Sequence, residues 1–520
     1  MKPSRRLFLK QIGLASLAPW ARADLLTGAG FARGTPGAEG VSAAGILDFL
    51  DAMERTKHEL HSFMMVRHGK VVAEGWWSPY GPGIKHTMYS MSKSFTSTAV
   101  GFAVAEGRLT VDDKVTSFFP DDLPASVSEN LAALRVCDLL SMSVGNEKEP
   151  TQACVKSENW VRTFLAQSIT HKPGTEFMYN SAATYMCSAI VQKLTGQKVI
   201  DYLTPRLFVP LGITGMTWET CPRGINTGGW GLSIRTEGLA RFGQLYLQKG
   251  VWNGKQILPA RWIDEATSFK IQQPGGDKPG RPKALNDWMQ GYCYQFWRCQ
   301  HNAFRGDGAF GQFTIVLPEK DAVIVMTSET KDLQGQLDLV WQHLLPALKD
   351  QRVADEAADA RLQARLASLA LNPPEGVAAP PAAAKLDGRA FDLEAGDADF
   401  TKAAFEMKSD RCTLTLTGAD ASHAVTCGIG QWRRGETTWP APRLISGGAP
   451  KPGTVHKVAA SAAWKDERTL VLTARFFETP HTDTITCVFD DDRVKISFMS
   501  SPVVLGGGKD PRRALAGRRR

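Results

Sequence analysis

A serine and a lysine three residues apart are the first residues whose types and spacing could do chemistry. Ser90 and Lys93 stand in the sequence Ser-Met-Ser-Lys, and a run of small and apolar residues from 96 to 105 follows before Gly107. This pattern predicts a helix whose first turn carries both residues on one face. Lys93 could then take the proton of the Ser90 hydroxyl, which is a poor nucleophile without a base. A surface serine and lysine in an ordinary helix would give the same motif, so the motif needs partners elsewhere.

A tyrosine about 90 residues later supplies the second candidate. Tyr179 is followed by Asn180 and Ser181, after a Pro-Gly-Thr loop and before a predicted helix over 181–194. A phenol held near a lysine ammonium should ionise more easily, and it could carry a proton between Ser90 and a leaving group. A core tyrosine just before a helix is the alternative.

A glycine-rich segment late in the chain is the third candidate. Residues 306–309 have the sequence Gly-Asp-Gly-Ala, which predicts a turn at the edge of a late strand. Because glycines let a backbone approach a substrate closely, the N–H groups of Ser90 and Ala309 are the predicted oxyanion hole. The residues predicted to bind substrate are Ser181, Gly306, Asp307 and Gly308. A glycine-rich hairpin turn without a catalytic role is the alternative.

The first 23 residues have the pattern of a twin-arginine export signal. Arg5 and Arg6 begin it, a short apolar run over 12–20 follows, and residues 21–23 form an Ala-x-Ala cleavage site. We therefore expect export by the twin-arginine route, a mature chain beginning near Asp24, and a periplasmic location. No apolar run is long enough to span a bilayer, so stable membrane insertion after signal removal is not expected.

Hydrophobic patterning divides the remainder of the 520 residues into two domains and their connections. Residues 43–350 begin and end with strands and have helices between them, which predicts an α/β (α+β) domain with one sheet flanked by helices. Residues 351–384 predict a helix and a Pro-Ala linker. Residues 385–505 contain about eight short strands with two-residue alternation, which predicts a barrel or a sandwich. The basic tail, 506–520, is predicted to be disordered.

Composition argues against several other functional classes. The formal net charge is +8, but six of the basic residues lie at the two ends of the chain, so no nucleic-acid partner is indicated. The nine cysteines show no zinc pattern, and His58 and His61 lack a zinc signature. We therefore expect no metal and no cofactor. A disulfide between Cys412 and Cys427 remains open.

In their order along the chain, the three motifs resemble those of the serine β-lactamase-like superfamily. Ser-Met-Ser-Lys is followed by Pro-Gly-Thr-x-Phe-x-Tyr-Asn-Ser and Gly-Asp-Gly-x-Phe-Gly-Gln, as in the branch of class C β-lactamases, esterases and D-aminopeptidases. The resemblance covers about residues 43–350 and implies the β-lactamase/transpeptidase-like fold, with an antiparallel sheet flanked by helices. It also implies acyl-enzyme chemistry, with Ser90 as the nucleophile, Lys93 as the base and Tyr179 as the proton shuttle. Similar family members carry appended β-barrel domains.

Two departures from the family pattern bear on the substrate. Gly306 stands where family β-lactamases carry a lysine or histidine that helps to hold a substrate carboxylate. Unless Arg305 replaces that cation, a penicillin is held less well, and Asp307 would favour a neutral or cationic group instead. Ser181 ends the second motif in place of asparagine, as in esterase-like and nylon-oligomer-hydrolase-like relatives.

The sequence therefore predicts an exported serine hydrolase that cleaves an ester or amide bond in a small-molecule or peptide-like substrate. A class C-like β-lactamase, or a D-peptidase acting on cell-wall material, is the alternative within the same class. An inactive envelope-binding protein is the alternative of another class. The intact set of Ser90, Lys93 and Tyr179 argues against that last alternative.

Overall fold

The computed structural model describes most of the chain beyond its N-terminal segment. The described residues are 30–274, 281–377, 380, 386–394, 400–445 and 453–520. The predicted export signal, 1–23, lies outside them. Within the described ranges, no helix combines the length and the apolar character needed to cross a membrane.

In the described part of the chain, twelve strands precede residue 350, and seven of them form one sheet. The strands are β1 (Ala32–Arg33), β2 (Glu59–Arg67), β3 (Lys70–Trp76), β4 (His86–Thr87), β5 (Thr217–Trp218), β6 (Leu232–Ile234), β7 (Val251–Trp252), β8 (Lys255–Gln256), β9 (Trp297–Arg298), β10 (Phe304–Gly308), β11 (Gln312–Leu317) and β12 (Ala322–Glu329). The main sheet has the order β1-β3-β2-β12-β11-β10-β9, and only its β1–β3 pair is parallel. The early and late strands therefore meet at the β2–β12 pair, as the sequence predicts.

Helices cover this sheet and fill the middle of the chain, and one further helix, Ser501–Gly506, lies in the C-terminal part. They are α1 (Ala43–Arg55), α2 (Ser92–Ala105), α3 (Val115–Phe118), α4 (Glu129–Ala133), α5 (Val136–Leu140), α6 (Thr151–Val155), α7 (Trp160–Leu165), α8 (Ser181–Thr195), α9 (Val199–Leu203), α10 (Thr236–Leu247), α11 (Ala260–Thr267), α12 (Leu333–Leu339), α13 (Leu345–Ala347), α14 (Glu356–Ala367) and α15 (Ser501–Gly506). A 3₁₀ turn, Tyr89–Met91, leads directly into α2. The part from β1 to α14 is called the first domain below.

The central strands of the sheet are apolar on both faces. Phe63 and Met65 of β2 belong to a core formed with α1, α12 and α14, whereas Met64 and Val66 belong to a second core formed with α2 and α10. Because side chains alternate across a strand, one run of apolar residues serves both cores. Helix α14 packs through Leu362 against the first of these cores, so this part of the predicted linker belongs to the first domain.

The C-terminal part of the chain forms a closed barrel. Its strands are β13 (Arg389–Leu393), β14 (Phe400–Met407), β15 (Arg411–Gly418), β16 (Ser422–Ile429), β17 (Arg433–Thr437), β18 (His456–Trp464), β19 (Thr469–Arg475), β20 (Thr482–Asp490), β21 (Arg493–Ser500) and β22 (Leu515–Arg519). They pair in the order β16-β15-β14-β13-β22-β21-β20-β19-β18-β17, and an additional β16–β18 pairing closes the ring. Of the two architectures that the alternation allows, the chain adopts the barrel.

The prediction that residues 506–520 are disordered is wrong. Strand β22 pairs with both β13 and β21, so the tail completes the barrel. Leu515 and Gly517 of this strand are buried, and Arg512 donates to both carboxylate oxygens of Asp483 at 2.7 Å each. The segment was predicted to be disordered because it is basic, but it contains a short alternating strand whose charged side chains lie outside the barrel.

Part of the contact between the barrel and the first domain is made by the end of β19 and the connection from β19 to β20. Arg475 donates to both carboxylate oxygens of Glu59, at 2.6 and 3.3 Å. The backbone N–H of Thr87 donates to the carbonyl of Glu478 at 2.9 Å. The contact therefore reaches the segment that directly precedes Ser90.

Candidate active site

Ser90 lies in the 3₁₀ turn before α2, and only Lys93 lies in the first turn of the helix. The helix begins at Ser92, so the prediction that both residues occupy that turn is wrong for Ser90. Ser92 holds the turn, because its hydroxyl donates to the carbonyl of Tyr89 at 2.6 Å and accepts from the N–H of Leu232 at 3.1 Å. Ser90 and Lys93 still face each other across this junction.

Lys93 is buried beside the hydroxyl that it is predicted to activate. Its side chain is 1% exposed, and its Nζ lies 3.1 Å from Ser90 Oγ, 3.0 Å from Ser181 Oγ and 2.7 Å from the carbonyl oxygen of Gly229. All three contacts are with neutral oxygens. Burial lowers the pKa of Lys93 to about 7, although the charges of Glu149 and Asp307 act in the opposite direction. An amine with such a pKa is available as a general base near neutral pH.

Two of the groups around Lys93 carry no sequence motif. Gly229 supplies the carbonyl oxygen, and a Cβ at this position would lie 2.7 Å from the carbonyl oxygen of Ser181. The glycine-rich composition of the loop around 218–231 is its only sequence signal. Glu149 is exposed, and one of its oxygens accepts from the Ser181 N–H at 3.0 Å. Nothing in the local sequence distinguishes this glutamate from its acidic neighbours.

Tyr179 stands at the entrance of α8, as the sequence predicts. Asn180 caps the helix by accepting from the N–H of Ala183 at 2.9 Å, which fixes the residues on either side of it. The Tyr179 ring has its centroid 4.8 Å from the Nζ of Lys93 and stacks on Trp297 at 5.7 Å between centroids. Both potential partners of Ser90 therefore lie on the same side of the Ser90 turn.

The expectation that the phenol of Tyr179 ionises more easily is wrong. Burial and, after it, the negative charge of Asp307 raise the pKa of Tyr179, and the contact with Ser90 opposes them only in part. Desolvation penalises the phenolate, and a lysine that is itself near neutrality offers little compensating charge. Tyr179 therefore keeps its proton over the ordinary pH range and is suited to donate it.

The glycines of the third motif lie inside β10, and the turn comes after them. Phe310 and Gly311, with φ of +67° and +89°, form that turn. A Cβ at Gly308 would lie 2.1 Å from the carbonyl oxygen of Met88, and one at Gly306 would lie 2.4 Å from the sulfur of Met91. The close backbone approach in the structure is thus between β10 and the Ser90 turn. The substrate-binding roles of Gly306 and Gly308 remain predictions.

Ala309 lies between β10 and its turn. It is half-buried, and its carbonyl accepts from the side-chain amide of Gln312 at 3.0 Å. That bond fixes the peptide group between Ala309 and Phe310. The oxyanion role of the Ala309 N–H remains a prediction.

Arg305 does not replace the missing cation of the third motif. Its side chain is 0% exposed, and its Nε donates to Asp307 Oδ2 at 2.9 Å. The rest of the guanidinium is enclosed by Trp288 and Trp297, whose ring centroids lie 4.4 and 5.5 Å from its central carbon. Burial raises the pKa of Asp307, although the Arg305 charge opposes the shift. Asp307 is thus engaged by Arg305, which weakens the expectation that it attracts a cationic substrate.

Cysteine and histidine side chains form no evident metal centre. In the parts of the chain that the structure describes, no three His, Cys, Asp or Glu side chains are grouped so that they could hold a metal ion. All nine cysteines are free thiols. Cys412 and Cys427 are cross-strand partners on β15 and β16, and the structure has no disulfide between them.

Comparison with known proteins places the chain in a family. Residues 51–348, more than half of the chain, match the family model described as Beta-lactamase. The chain belongs to the beta-lactamase family. This membership confirms the fold that the three motifs imply, a β-lactamase/transpeptidase-like domain, which is followed in this chain by the closed barrel.

The relatives include proteins named as hydrolases. A 6-aminohexanoate-dimer hydrolase of Paenarthrobacter ureafaciens is 28% identical over 292 residues, which cover 52% of this chain and 73% of the relative. Protein flp of Staphylococcus aureus (strain COL) is 26% identical over 172 residues, 30% of this chain and 34% of flp. The solved structure of an octameric penicillin-binding protein homologue from Pyrococcus abyssi is 15% identical, with a TM-score of 0.46, and the match covers 91% of this chain and 99% of that one.

Proposed function

We propose that this member of the beta-lactamase family is a serine hydrolase that cleaves an ester or amide bond through an acyl-enzyme on Ser90. The observation that carries the proposal is the buried Lys93 amine, 3.1 Å from Ser90 Oγ and with a pKa near 7. A surface lysine would be protonated at neutral pH and could not accept the serine proton. Lys93 is buried and contacts no carboxylate, so its pKa is lowered and its neutral form can act as a base.

The acylation step uses Lys93 and Tyr179 in sequence. Neutral Lys93 takes the proton of Ser90 as the Oγ forms a bond with the carbonyl carbon of the substrate. The N–H groups of Ser90 and Ala309 stabilise the oxyanion. As the bond to the leaving group breaks, Tyr179 gives its proton to the departing oxygen or nitrogen, and the Lys93 ammonium returns a proton to the phenolate.

In deacylation, water replaces the serine as the nucleophile, and Ser90 becomes the leaving group. A water molecule attacks the acyl carbon, and its proton passes to neutral Lys93, either directly or through Tyr179, which accepts it while giving its own proton to Lys93. The acid product leaves when Ser90 Oγ recovers a proton from the same pair. Of the protein's groups, Ser90, Lys93 and Tyr179 are the ones that change their protonation over the cycle, and each ends it as it began.

Several observations support a linear ester or amide as the substrate. Gly306 stands at the position of the family's substrate-binding cation, and Arg305 is enclosed and paired with Asp307. The relative from P. ureafaciens is named for hydrolysis of a 6-aminohexanoate dimer. A small-molecule or peptide-like substrate with a linear ester or amide bond fits these observations.

We propose a periplasmic location, reached by the twin-arginine route. The support is the sequence pattern of residues 1–23 alone. Replacing Arg5 and Arg6 by lysine should retain the protein in the cytoplasmic fraction of the producing cell. Equal periplasmic recovery of the wild type and this variant would contradict the proposal.

Intact-mass measurement after treatment with a fluorophosphonate tests the covalent mechanism. The wild type should gain one adduct, and Ser90→Ala should gain none. Ser181→Ala is the matched control, because it removes the other hydroxyl on Lys93 and keeps the nucleophile, so an adduct should still form. Absence of the wild-type adduct, or an equal adduct on Ser90→Ala, would refute the proposal.

Rates of hydrolysis distinguish esters and amides from β-lactams as the substrate class. We expect hydrolysis of p-nitrophenyl esters or D-amino-acid amides, with little hydrolysis of the β-lactam nitrocefin. Preferential turnover of nitrocefin would instead identify a β-lactamase and would refute the inference drawn from Gly306 and Arg305.

A further inference from the structure

A chain of three buried polar side chains connects the barrel to the residue before the nucleophile. The hydroxyl of Tyr89 is hydrogen-bonded to Nε2 of His481, which lies in the barrel between β19 and β20. Nδ1 of His481 lies 2.6 Å from Oε1 of Glu329, the last residue of β12 in the first domain. His481 is 0% exposed, and Tyr89 and Glu329 are 8% and 7% exposed.

The direction of each hydrogen bond follows from the chemistry of the groups. A carboxylate only accepts hydrogen bonds, so Nδ1 of His481 carries the proton and donates to Glu329. In the tautomer with the proton on Nδ1, Nε2 is an acceptor, and the Tyr89 hydroxyl donates to it. Ser501 also donates to Glu329 Oε1, at 2.6 Å. Burial raises the pKa of Tyr89, which keeps the phenol protonated for this bond.

His481 also packs against the second side of the site. The ring of Phe310 lies edge-on to His481 at 4.8 Å and to Tyr89 at 5.5 Å between centroids. Tyr89 directly precedes Ser90, and Phe310 directly follows Ala309. The imidazole therefore contacts the neighbours of both predicted oxyanion donors.

Tyr89 and Phe310 both have a backbone conformation that surrounding contacts must stabilise. The φ angles of Tyr89 and Phe310 are +47° and +67°, in the left-handed region that residues with a Cβ rarely adopt. Such conformations persist where surrounding contacts determine them, and they cluster at functional sites. One barrel side chain supplies such contacts to both residues.

We propose that His481 of the barrel is a positioning residue for the oxyanion hole, which it shapes by holding Tyr89 and Phe310 on either side of it. The proposal rests on the proposed function, since it presupposes that Ser90 is acylated. His481 does not act on the substrate itself, because it is fully buried and both of its ring nitrogens are engaged. The barrel is then a part of the active site, whatever else it binds.

The test compares His481→Ala, Tyr89→Phe and the double variant. A misplacement of about 1 Å can reduce a rate by about a hundredfold, so we expect His481→Ala to lower kcat for a p-nitrophenyl ester by about 10- to 100-fold, with KM nearly unchanged. The rate of fluorophosphonate labelling should fall by the same factor, because that adduct also places an oxygen in the oxyanion hole. Tyr89→Phe should lower both rates, and adding it to His481→Ala should cause little further loss.

Two further variants separate positioning from general stability. His481→Gln can retain a hydrogen bond to Tyr89 and should recover part of kcat. His423→Ala is the control, because it removes another barrel imidazole that is bonded to a hydroxyl, that of Thr438 at 3.0 Å; His423 is half-buried. It should leave kcat and the labelling rate at wild-type values. If His481→Ala does not fold, as judged by circular dichroism, Tyr89→Phe and His481→Gln decide the question.

The outcomes also separate this proposal from the one on which it rests. A wild type that is not labelled at Ser90 refutes the proposed function. A wild type that is labelled, with His481→Ala and Tyr89→Phe labelled and turning over at the same rates, refutes only the role of His481. A raised KM with unchanged kcat would show an effect on substrate binding and would also overturn the positioning role.

Discussion

A buried amine of the first domain and a buried carboxylate of the barrel have different surroundings. In the first domain, the Lys93 amine contacts only neutral oxygens, and burial lowers its pKa to about 7. In the barrel, Asp483 is 0% exposed but receives two N–H groups from Arg512 and one from the Trp439 indole, at 2.7, 2.7 and 2.8 Å. Bonds from Arg512 also lower the pKa of the neighbouring Asp510 to about 2.

The difference determines which of the two buried groups can take part in proton transfer. A buried charge with a saturated set of partners is held in one protonation state, so it contributes to structure and not to proton transfer. A buried amine without an opposite charge in contact can change its protonation near neutral pH. Of these two buried groups, the one without a charged partner is the one that lies beside Ser90.

Replacing Lys93 by methionine should have the largest effect on activity. Methionine fills a similar volume but has no amine, so Ser90 loses its base. Loss of a base that acts together with its nucleophile typically costs about 10⁴-fold or more in kcat, which is about 5.5 kcal/mol. The rate is measured with a p-nitrophenyl ester. Lys172→Met, which removes an exposed lysine, is the control, and residual activity within tenfold of wild type in Lys93→Met would show that Lys93 is not the base.

Replacing Tyr179 by phenylalanine should have a smaller effect that depends on the leaving group. A positioned proton donor contributes about 10²- to 10⁴-fold, so we expect a loss in that range for an amide. The loss should be smaller for a p-nitrophenyl ester, because p-nitrophenolate departs without a proton. Tyr292→Phe, in the same aromatic cluster, is the control. An equal loss for both substrates would contradict the role of Tyr179 as proton donor.

Features encoded over a few residues were predictable from the sequence. The spacing of Ser90 and Lys93, the cap before α8 and the two-residue alternation in the barrel strands all depend on local geometry. They give the types of the elements and, with the family resemblance, the residues that meet in the site. The start of α2 and the position of the β10 turn were displaced by two or three residues, because 3₁₀ and left-handed residues leave no periodic pattern.

Features that depend on contacts between distant parts of the chain were not predictable. The carbonyl of Gly229 reaches Lys93 across 136 positions, and His481 reaches Tyr89 across 392. The local sequence indicates neither of these two contacts, because a single glycine or histidine in a loop does not identify its distant partner. The strand β22 was missed for the same reason, since its partners β13 and β21 determine its structure.

Removing Arg512 should destabilise the barrel without changing the chemistry. Arg512→Met leaves Asp483 buried without its cation, and breaking such a pair costs about 3 kcal/mol. We expect a lower midpoint of unfolding in urea and an unchanged kcat per folded molecule. Arg493→Met, which removes an exposed arginine on β21, should leave the midpoint near that of the wild type. A wild-type midpoint in Arg512→Met would show that solvent already satisfies Asp483.

The pH dependence of the reaction should report the protonation of Lys93. The neutral amine is the active form, so kcat/KM should rise about tenfold per pH unit below a midpoint near 7 and level off above it. An ordinary lysine would place that midpoint near 10.5. The raised pKa of Tyr179 means that the plateau should extend well into the alkaline range.

Glu149 offers a way to move this midpoint without touching the base. Its negative charge favours the protonated form of Lys93 and so raises the pKa of that amine. Glu149→Gln keeps an oxygen for the Ser181 N–H but removes the charge, so the midpoint should shift to lower pH. Glu147→Gln removes an exposed carboxylate two residues away and should leave it in place. If neither the wild type nor Glu149→Gln has a midpoint below 9, burial does not lower the pKa of Lys93, and the contrast between an unpaired base and a paired barrel carboxylate fails.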